Sequence, residues 1–137
     1  MLVVTTLACA DFESTTDPAF GLPDDVVATP SFADDIQPIF TRRCSIGGCH
    51  SLATAQAGLT LAAGASYGSL VGVQSRLRPQ FVRVAPSDPA NSWLIRMIGS
   101  DPALRFGHQR MPLASTPLTA NQIQTITNWI ATGALPN

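Results

Sequence analysis

The chain carries little charge and no lysine at all. Charged residues make up only 12% of its 137 residues, and all eight positive side chains are arginines. These arginines are scattered along the sequence, so no basic patch for nucleic acid is indicated. No apolar run approaches the roughly 20 residues that a membrane-spanning helix needs. Hydrophobic residues nevertheless amount to 45% of the chain, which predicts one compact domain with a real core.

Cysteine is also scarce, and the three cysteines are an odd number. Cys9 lies in a short apolar start that resembles the end of a bacterial lipoprotein signal, although no basic residue precedes it. We therefore expect Cys9 to be either lipidated or a free thiol. Because residues 10–30 are rich in Thr, Ser, Asp and Pro, we interpret residues 1–30 as a truncated signal followed by a flexible tether, and 31–137 as the folded domain.

Apolar periodicity predicts an all-α domain with long loops and no strands. The first helix is expected from Phe32 to Arg43, behind a capping pair of Ser31 and Asp34, with a kink or broken turn at Pro38. The remaining helices are placed at Tyr67–Val71, at Asp88–Gly99 behind an Asp-Pro start, and from a Thr119–Gln122 capping box to Gly133. Helices this short predict a buried prosthetic group that supplies part of the core.

The most informative segment runs from Cys44 to His50 and reads CSIGGCH. Haem c is attached when two cysteine thiols add to its vinyl groups, and the histidine directly after the second cysteine then reaches the iron. The usual motif has two residues between the cysteines, whereas four separate Cys44 from Cys49 here. Gly47 and Gly48 suit an outward bulge of the extra residues, because glycine accepts backbone angles that other residues avoid.

Two other interpretations of this segment stay open. Cys44 and Cys49 could form a disulfide with each other. They could also bind zinc together with His50 and His108, although the spacing matches no common zinc ribbon or finger. Both alternatives would make the domain structural.

The loop Arg110-Met111-Pro112 contains the predicted second ligand of a haem iron. A methionine sulfur opposite the histidine stabilises reduced iron and raises its potential. Met97 is the rival methionine, but it lies on the apolar face of a predicted helix, where methionine commonly fills the core. His108 would instead give a site with two histidines.

Four stretches resemble bacterial monohaem c-type cytochrome domains of the planctomycete and myxobacterial type. They are residues 32–40, 57–61, 83–94, and 110–112 with 118–134. The resemblance covers most of the chain from Ser31 onward. It implies the cytochrome c fold, with the first and last helices packed near the haem edge. It also places Cys44, Cys49, His50 and Met111 on the family's haem positions.

The expected function is single-electron transfer by a periplasmic or otherwise extracytoplasmic carrier, not catalysis. One covalent haem c would be held by Cys44 and Cys49, with His50 and Met111 on its iron. Its partners would be redox proteins or subunits of a respiratory or photosynthetic membrane complex, with membrane attachment through a lipidated Cys9. If Met111 does not coordinate, the open iron face could bind a small gas or peroxide.

Other side chains are candidates for supporting roles around the haem. Arg83, Arg105 and Arg110 are candidates to pair with a haem propionate. Candidates to pack on the porphyrin, or simply to form ordinary core, are Phe40, Leu59, Leu61, Tyr67, Leu70, Leu94, Ile98 and Trp129.

Overall fold

The structure is a computed structural model, and it describes residues 21, 22 and 24–137. The described part is helix-rich, which confirms the predicted class. Its α-helices are α1 (Gln37–Arg43), α2 (Ser66–Leu70), α3 (Trp93–Ile98) and α4 (Ala120–Ala131). Extended pairing within residues 24–137 is limited to the isolated bridges Val71–Val84, Gln74–Val82 and Val82–Ser92. None of the helices in this part of the chain is long and apolar enough to cross a membrane.

The first predicted helix begins as expected but changes its winding. The Ser31 side chain accepts a hydrogen bond from the Asp34 amide and caps a π-helical turn, Phe32–Ile36, which leads into α1. Pro38 falls in the first turn of α1, where its missing N–H leaves no helical bond unmade. The predicted break therefore takes the form of a π-helical turn ahead of the proline.

The third predicted helix is not continuous, so that prediction was wrong in its extent. Asp88 caps only one 3-10 turn, Pro89–Asn91, and Ser92 is extended. The Ser92 hydroxyl donates to the Asp88 carbonyl at 2.9 Å and accepts from the Ala85 amide at 2.8 Å. The Trp93 amide then donates to the Val82 carbonyl at 2.9 Å. These bonds tie Ser92 to the preceding segment and postpone the start of α3.

The last helix follows its predicted signals closely. The Thr119 hydroxyl accepts from the Gln122 amide at 3.1 Å, and the Gln122 side chain accepts from the Thr119 amide at 3.2 Å. This is the reciprocal capping box. At the other end, Gly133 has φ +109°, a conformation that glycine adopts without strain.

The two ends of the domain pack against each other. The Phe32 ring lies 5.1 Å from the Trp129 ring and 5.3 Å from the Tyr67 ring, measured between centroids. The Ala33 amide donates to the Asn137 carbonyl at 2.9 Å. The first turn and α4 are thus joined through an aromatic cluster and the C-terminal residue.

The segment before Ser31 is part of the ordered domain as far back as Asp24. The Asn128 side chain on α4 donates to the Val27 carbonyl at 2.8 Å, and the Asn121 side chain donates to the Asp24 carbonyl at 2.7 Å. Residues 24–30 therefore lie along α4 through hydrogen bonds that composition could not reveal. Cys9 and the rest of 1–20 lie outside the described residues.

Candidate haem-binding cavity

A cavity of about 450 Å³ opens beside α1 and α3. Its size falls within the range of small-molecule and cofactor sites. Cys44, Cys49, His50 and Met111 all line it, although the last is far from the others in sequence. Apolar side chains make up much of the remaining wall, among them Leu59, Leu61, Leu70, Leu94 and Ile98.

The end of α1 places the two cysteines. The Cys44 amide donates to the Phe40 carbonyl at 3.0 Å and so completes the last turn of the helix. The chain then loops back, since the His50 amide donates to the Cys44 carbonyl at 3.1 Å. Gly48 has φ +83°, and a Cβ at Gly47 or Gly48 would meet nothing within 4 Å. Ile46, Gly47 and Gly48 are therefore exposed, although Ile46 and Gly48 also border the cavity.

Hydrogen bonds to both the ring and the backbone of His50 fix its position. The His50 carbonyl accepts from the Leu61 amide at 2.7 Å. The Nδ1 atom of the His50 ring lies 3.0 Å from the Leu59 carbonyl oxygen. A carbonyl can only accept, so Nδ1 carries the proton and Nε2 keeps its lone pair. This arrangement of an oriented imidazole is the one that metal-ligating histidines use.

Both candidate methionines line the cavity. Met97 is buried on α3, with only 6% of its surface exposed, while Met111 is half-buried in the loop before α4. The Met111 amide donates to the Met97 carbonyl at 2.8 Å, and the bond between Met111 and Pro112 is cis. This wall of the cavity thus presents two thioethers on adjoining pieces of backbone.

The thiols of Cys44 and Cys49 are both free and are not joined in a disulfide. Burial raises the pKa of the Cys44 thiol to about 12, against a smaller opposing effect of Arg43, so it stays protonated at neutral pH. In the described residues no three His, Cys, Asp or Glu side chains come close enough to hold a metal ion. The zinc alternative with Cys44, Cys49 and His50 therefore lacks its ligand cluster.

His108 does not line the cavity. Its ring stands edge-on to the Trp93 ring, with centroids 5.7 Å apart. Trp93 does line the cavity, whereas His108 is not among the described residues that line it. The arrangement offers no support for a site with two histidines.

Of the three arginines predicted to face a propionate, only Arg83 reaches the cavity. Its guanidinium donates to the Ser69 carbonyl at 2.7 Å and to the Ala57 carbonyl at 3.1 Å. Arg105 and Arg110 instead donate to main-chain carbonyls elsewhere: Arg105 to Gly99, Asp101 and His108, and Arg110 to Ile98.

Two further arginines on the wall escaped the sequence reasoning. Arg43 is only 3% exposed, and its Nε and Nη1 have no hydrogen-bond partner in the described part of the chain. Arg76 packs over Gly58, where a Cβ would come within 2.4 Å of its guanidinium carbon. Arg43 follows Ile39 by four residues, so its place on the apolar face of the helix was a readable signal.

No aspartate or glutamate stands among the described residues that line the cavity. Arg43, Arg76 and Arg83 therefore make its electrostatic field positive. Burial, and secondarily Arg76, lower the pKa of Arg83, which is the response of a buried cation with a like charge nearby. Such a wall favours a ligand that carries anionic groups.

Five of the eight side chains proposed to pack on a porphyrin line the cavity. The other three, Phe40, Tyr67 and Trp129, do not line it. They belong to the core cluster with Phe32. The apolar periodicity that identified them reports burial, and burial alone does not say which part of the core a side chain faces.

The arrangement combines a donor histidine, two thioethers, two thiols and a positive apolar wall around one space. Comparisons of the chain with family models, curated proteins and solved structures find no match. The argument for function therefore rests on this site alone.

Proposed function

We propose that the chain is a monohaem c-type cytochrome domain that transfers single electrons and is not an enzyme. The observation that carries the proposal is the convergence of Cys44, Cys49, His50 and Met111 on one apolar cavity. Adjacent residues of the motif would be close in any fold. Met111, however, is distant in sequence and was singled out for its sulfur, its loop and the family resemblance, and it too lines the cavity.

The residues present fit haem c. Cys44 and Cys49 would form the two thioether bonds, and His50 would offer its unprotonated Nε2 to the iron because Nδ1 donates to the Leu59 carbonyl. When bound, haem supplies an iron that accepts and releases one electron.

Met111 would offer the iron its second ligand. Met111 lies in a loop, where it can adjust its position toward the iron, and it is the ligand we propose over Met97. A thioether sulfur favours the reduced state and so raises the potential. Leu94 and Ile98 beside it would keep water from the iron.

The unpaired cations suit the two carboxylates of a haem. Arg43 has two nitrogens without partners, and Arg83 is anchored to the Ala57 carbonyl. We propose that these guanidinium groups pair with the propionates through charge-assisted hydrogen bonds.

The proposal extends to the fold and to where the protein works. The helix-rich domain, with its first turn against α4, supports a cytochrome c fold. An extracytoplasmic carrier, exchanging electrons with redox proteins or with subunits of a membrane complex, accords with covalent haem. Lipidation of Cys9 would anchor it to the membrane.

The decisive experiment is to express the full chain with a haem-maturation system and stain a denaturing gel for haem. The parent chain is expected to keep haem covalently, whereas a Cys44→Ser/Cys49→Ser variant loses the stain. A Cys9→Ser variant is the matched control, because it also removes a thiol yet leaves the CSIGGCH motif unchanged, and it should stain like the parent.

Optical spectra complete the test. The parent protein should show the sharp reduced bands of a six-coordinate, low-spin haem. A colourless parent protein, or equal staining of the double cysteine variant and the parent, would refute the proposal.

A further inference from the structure

A cluster of three aromatic rings connects the cavity to the surface next to α3. The Phe81 ring lies 5.7 Å from Trp93, measured between centroids, with an angle of 24° between the ring planes. The Phe106 ring lies 6.4 Å from Trp93 and 5.9 Å from Phe81, so each ring contacts the other two. Trp93 is 5% exposed and lines the cavity, whereas Phe106 is 46% exposed.

An arginine lies over each of the two phenylalanine rings of the cluster. The Arg96 guanidinium lies 4.4 Å above the centroid of Phe81, and that of Arg78 lies 4.9 Å above the centroid of Phe106. These distances are typical of cation–π contacts. We call the five residues Arg78, Phe81, Trp93, Arg96 and Phe106 the aromatic–arginine face.

No carboxylate neutralises this pair of arginines in the contacts of the described residues. Arg78 donates to the Phe106 carbonyl at 3.0 Å, and Arg96 donates to the Ala90 carbonyl at 2.8 Å. The Nε atom of each is buried and has no hydrogen-bond partner in the described part of the chain. Both cations therefore keep their charge available to an outside group.

The surrounding stretch of sequence also carries more positive than negative charge. Residues 71–110 contain six arginines and only two acidic residues, Asp88 and Asp101. Both carboxylates cap 3-10 turns: Asp88 accepts from the Asn91 amide and Asp101 from the Ala103 amide. The exposed apolar side chains Leu77 and Leu104, 43% and 45% exposed, come from the same stretch of chain.

From these observations we infer that the aromatic–arginine face is the docking surface for an acidic redox protein. This inference rests on the proposed function. The exposed Phe106 ring and the two leucines would form the apolar centre of a small, transient interface, and the arginines would steer acidic groups toward it. One electron would pass between partner and haem by way of Trp93, the partner losing what the iron gains or the reverse, with no atom transferred.

The test maps an anion onto the full-length holoprotein. Hexacyanochromate(III), a paramagnetic and redox-inert anion, is titrated into isotope-labelled ferrous protein, and broadening of amide signals is followed by NMR. Broadening should concentrate around Arg78, Arg96 and Phe106. Broadening centred on the cavity mouth near Arg43 and Arg76, or spread evenly over the surface, would overturn the inference.

Variants sharpen the result. Arg78→Gln/Arg96→Gln should abolish the localised broadening, and Arg78→Lys/Arg96→Lys should retain it because lysine keeps the charge. Arg42→Gln, on α1 and outside the face, is the control and should behave like the parent. Unchanged broadening in the double glutamine variant would overturn the inference.

Kinetics give a second readout. At low ionic strength, oxidation of the reduced protein by ferricyanide should slow several-fold in the double glutamine variant, and the difference should vanish at high salt. Oxidation by the cation tris(phenanthroline)cobalt(III) should not slow. A coloured protein that fails these tests refutes only the docking surface, whereas a colourless one refutes the haem proposal itself.

Discussion

His50 illustrates how one carbonyl decides what a side chain can do. Either ring nitrogen of a free neutral histidine can carry the proton. The Leu59 carbonyl, 3.0 Å from Nδ1, assigns the proton to that nitrogen and leaves Nε2 as a donor to a metal. Leu59 follows the motif at a distance that no motif specifies, so this choice belongs to the folded chain.

The two methionines allow a direct test of the second ligand. In Met111→Leu we expect loss of the weak far-red ferric band that methionine ligation produces, rapid binding of carbon monoxide, and a lower potential. A fall on the order of 0.1 V is reasonable, since axial ligands tune haem potentials over about 0.8 V. Spectroscopy and potentiometry measure these changes.

Met97→Leu is the matched control. It removes the other thioether with little change of volume, at a cost below about 1.5 kcal/mol of stability, and should keep the ferric band. If Met97→Leu loses the band while Met111→Leu keeps it, Met97 is the ligand. A parent protein that lacks the band and binds carbon monoxide would favour the ligand-binding alternative.

Two loops flank the histidine, and each contains a glycine with a different tolerance for a side chain. Gly47 lies in the spacer, where a Cβ would meet nothing within 4 Å. Gly58 lies in the turn after the motif, where φ is +67° and Arg76 packs directly over the backbone. The first loop tolerates a side chain, and the second does not.

We therefore expect Gly58→Ala to destabilise the protein by about 1–3 kcal/mol, because alanine would adopt left-handed backbone angles and displace Arg76. Gly47→Ala should change stability by less than about 0.5 kcal/mol. Urea denaturation of the two variants measures the difference. Equal stability of the Gly58→Ala and Gly47→Ala variants would contradict this prediction.

The cavity of about 450 Å³ lies against the core of a small domain. At roughly 24 cal/mol per Å³ of cavity, keeping such a space open and dry would cost about 10 kcal/mol. That figure is an upper bound, because the cavity opens to solvent, yet it rivals the about 5–15 kcal/mol by which native domains are stable. A haem bound as proposed would fill this space and remove that cost.

The haem-free Cys44→Ser/Cys49→Ser protein should accordingly be much less stable than the parent. We expect it to keep helical far-ultraviolet circular dichroism but to lose near-ultraviolet signal and to bind hydrophobic dyes, as expanded states do. The Cys9→Ser holoprotein is the reference. A haem-free protein that unfolds at the same urea concentration as the reference would contradict this account.

Much of the local structure could be predicted because its causes are local. The Ser31 cap and the Thr119–Gln122 capping box depend on residues three apart, and both form as expected. The prediction of a continuous helix through Ser92 was wrong for a non-local reason. Hydrogen bonds between Ser92 and Ala85 and from Trp93 to Val82 outweigh the helical pattern. The hydrogen bond from Asn128 on α4 to the Val27 carbonyl is likewise non-local, and no local pattern predicts it.

The candidate site likewise has features that could be predicted from local sequence and features that could not. Its chemical members, Cys44, Cys49, His50 and Met111, could be named from residue types and spacing, because thioether attachment and iron ligation demand particular atoms. Their meeting around one cavity, the proton on Nδ1 of His50, and the positive wall all depend on contacts between distant segments. Local spacing contains no information about such contacts, so only the packed chain could decide them.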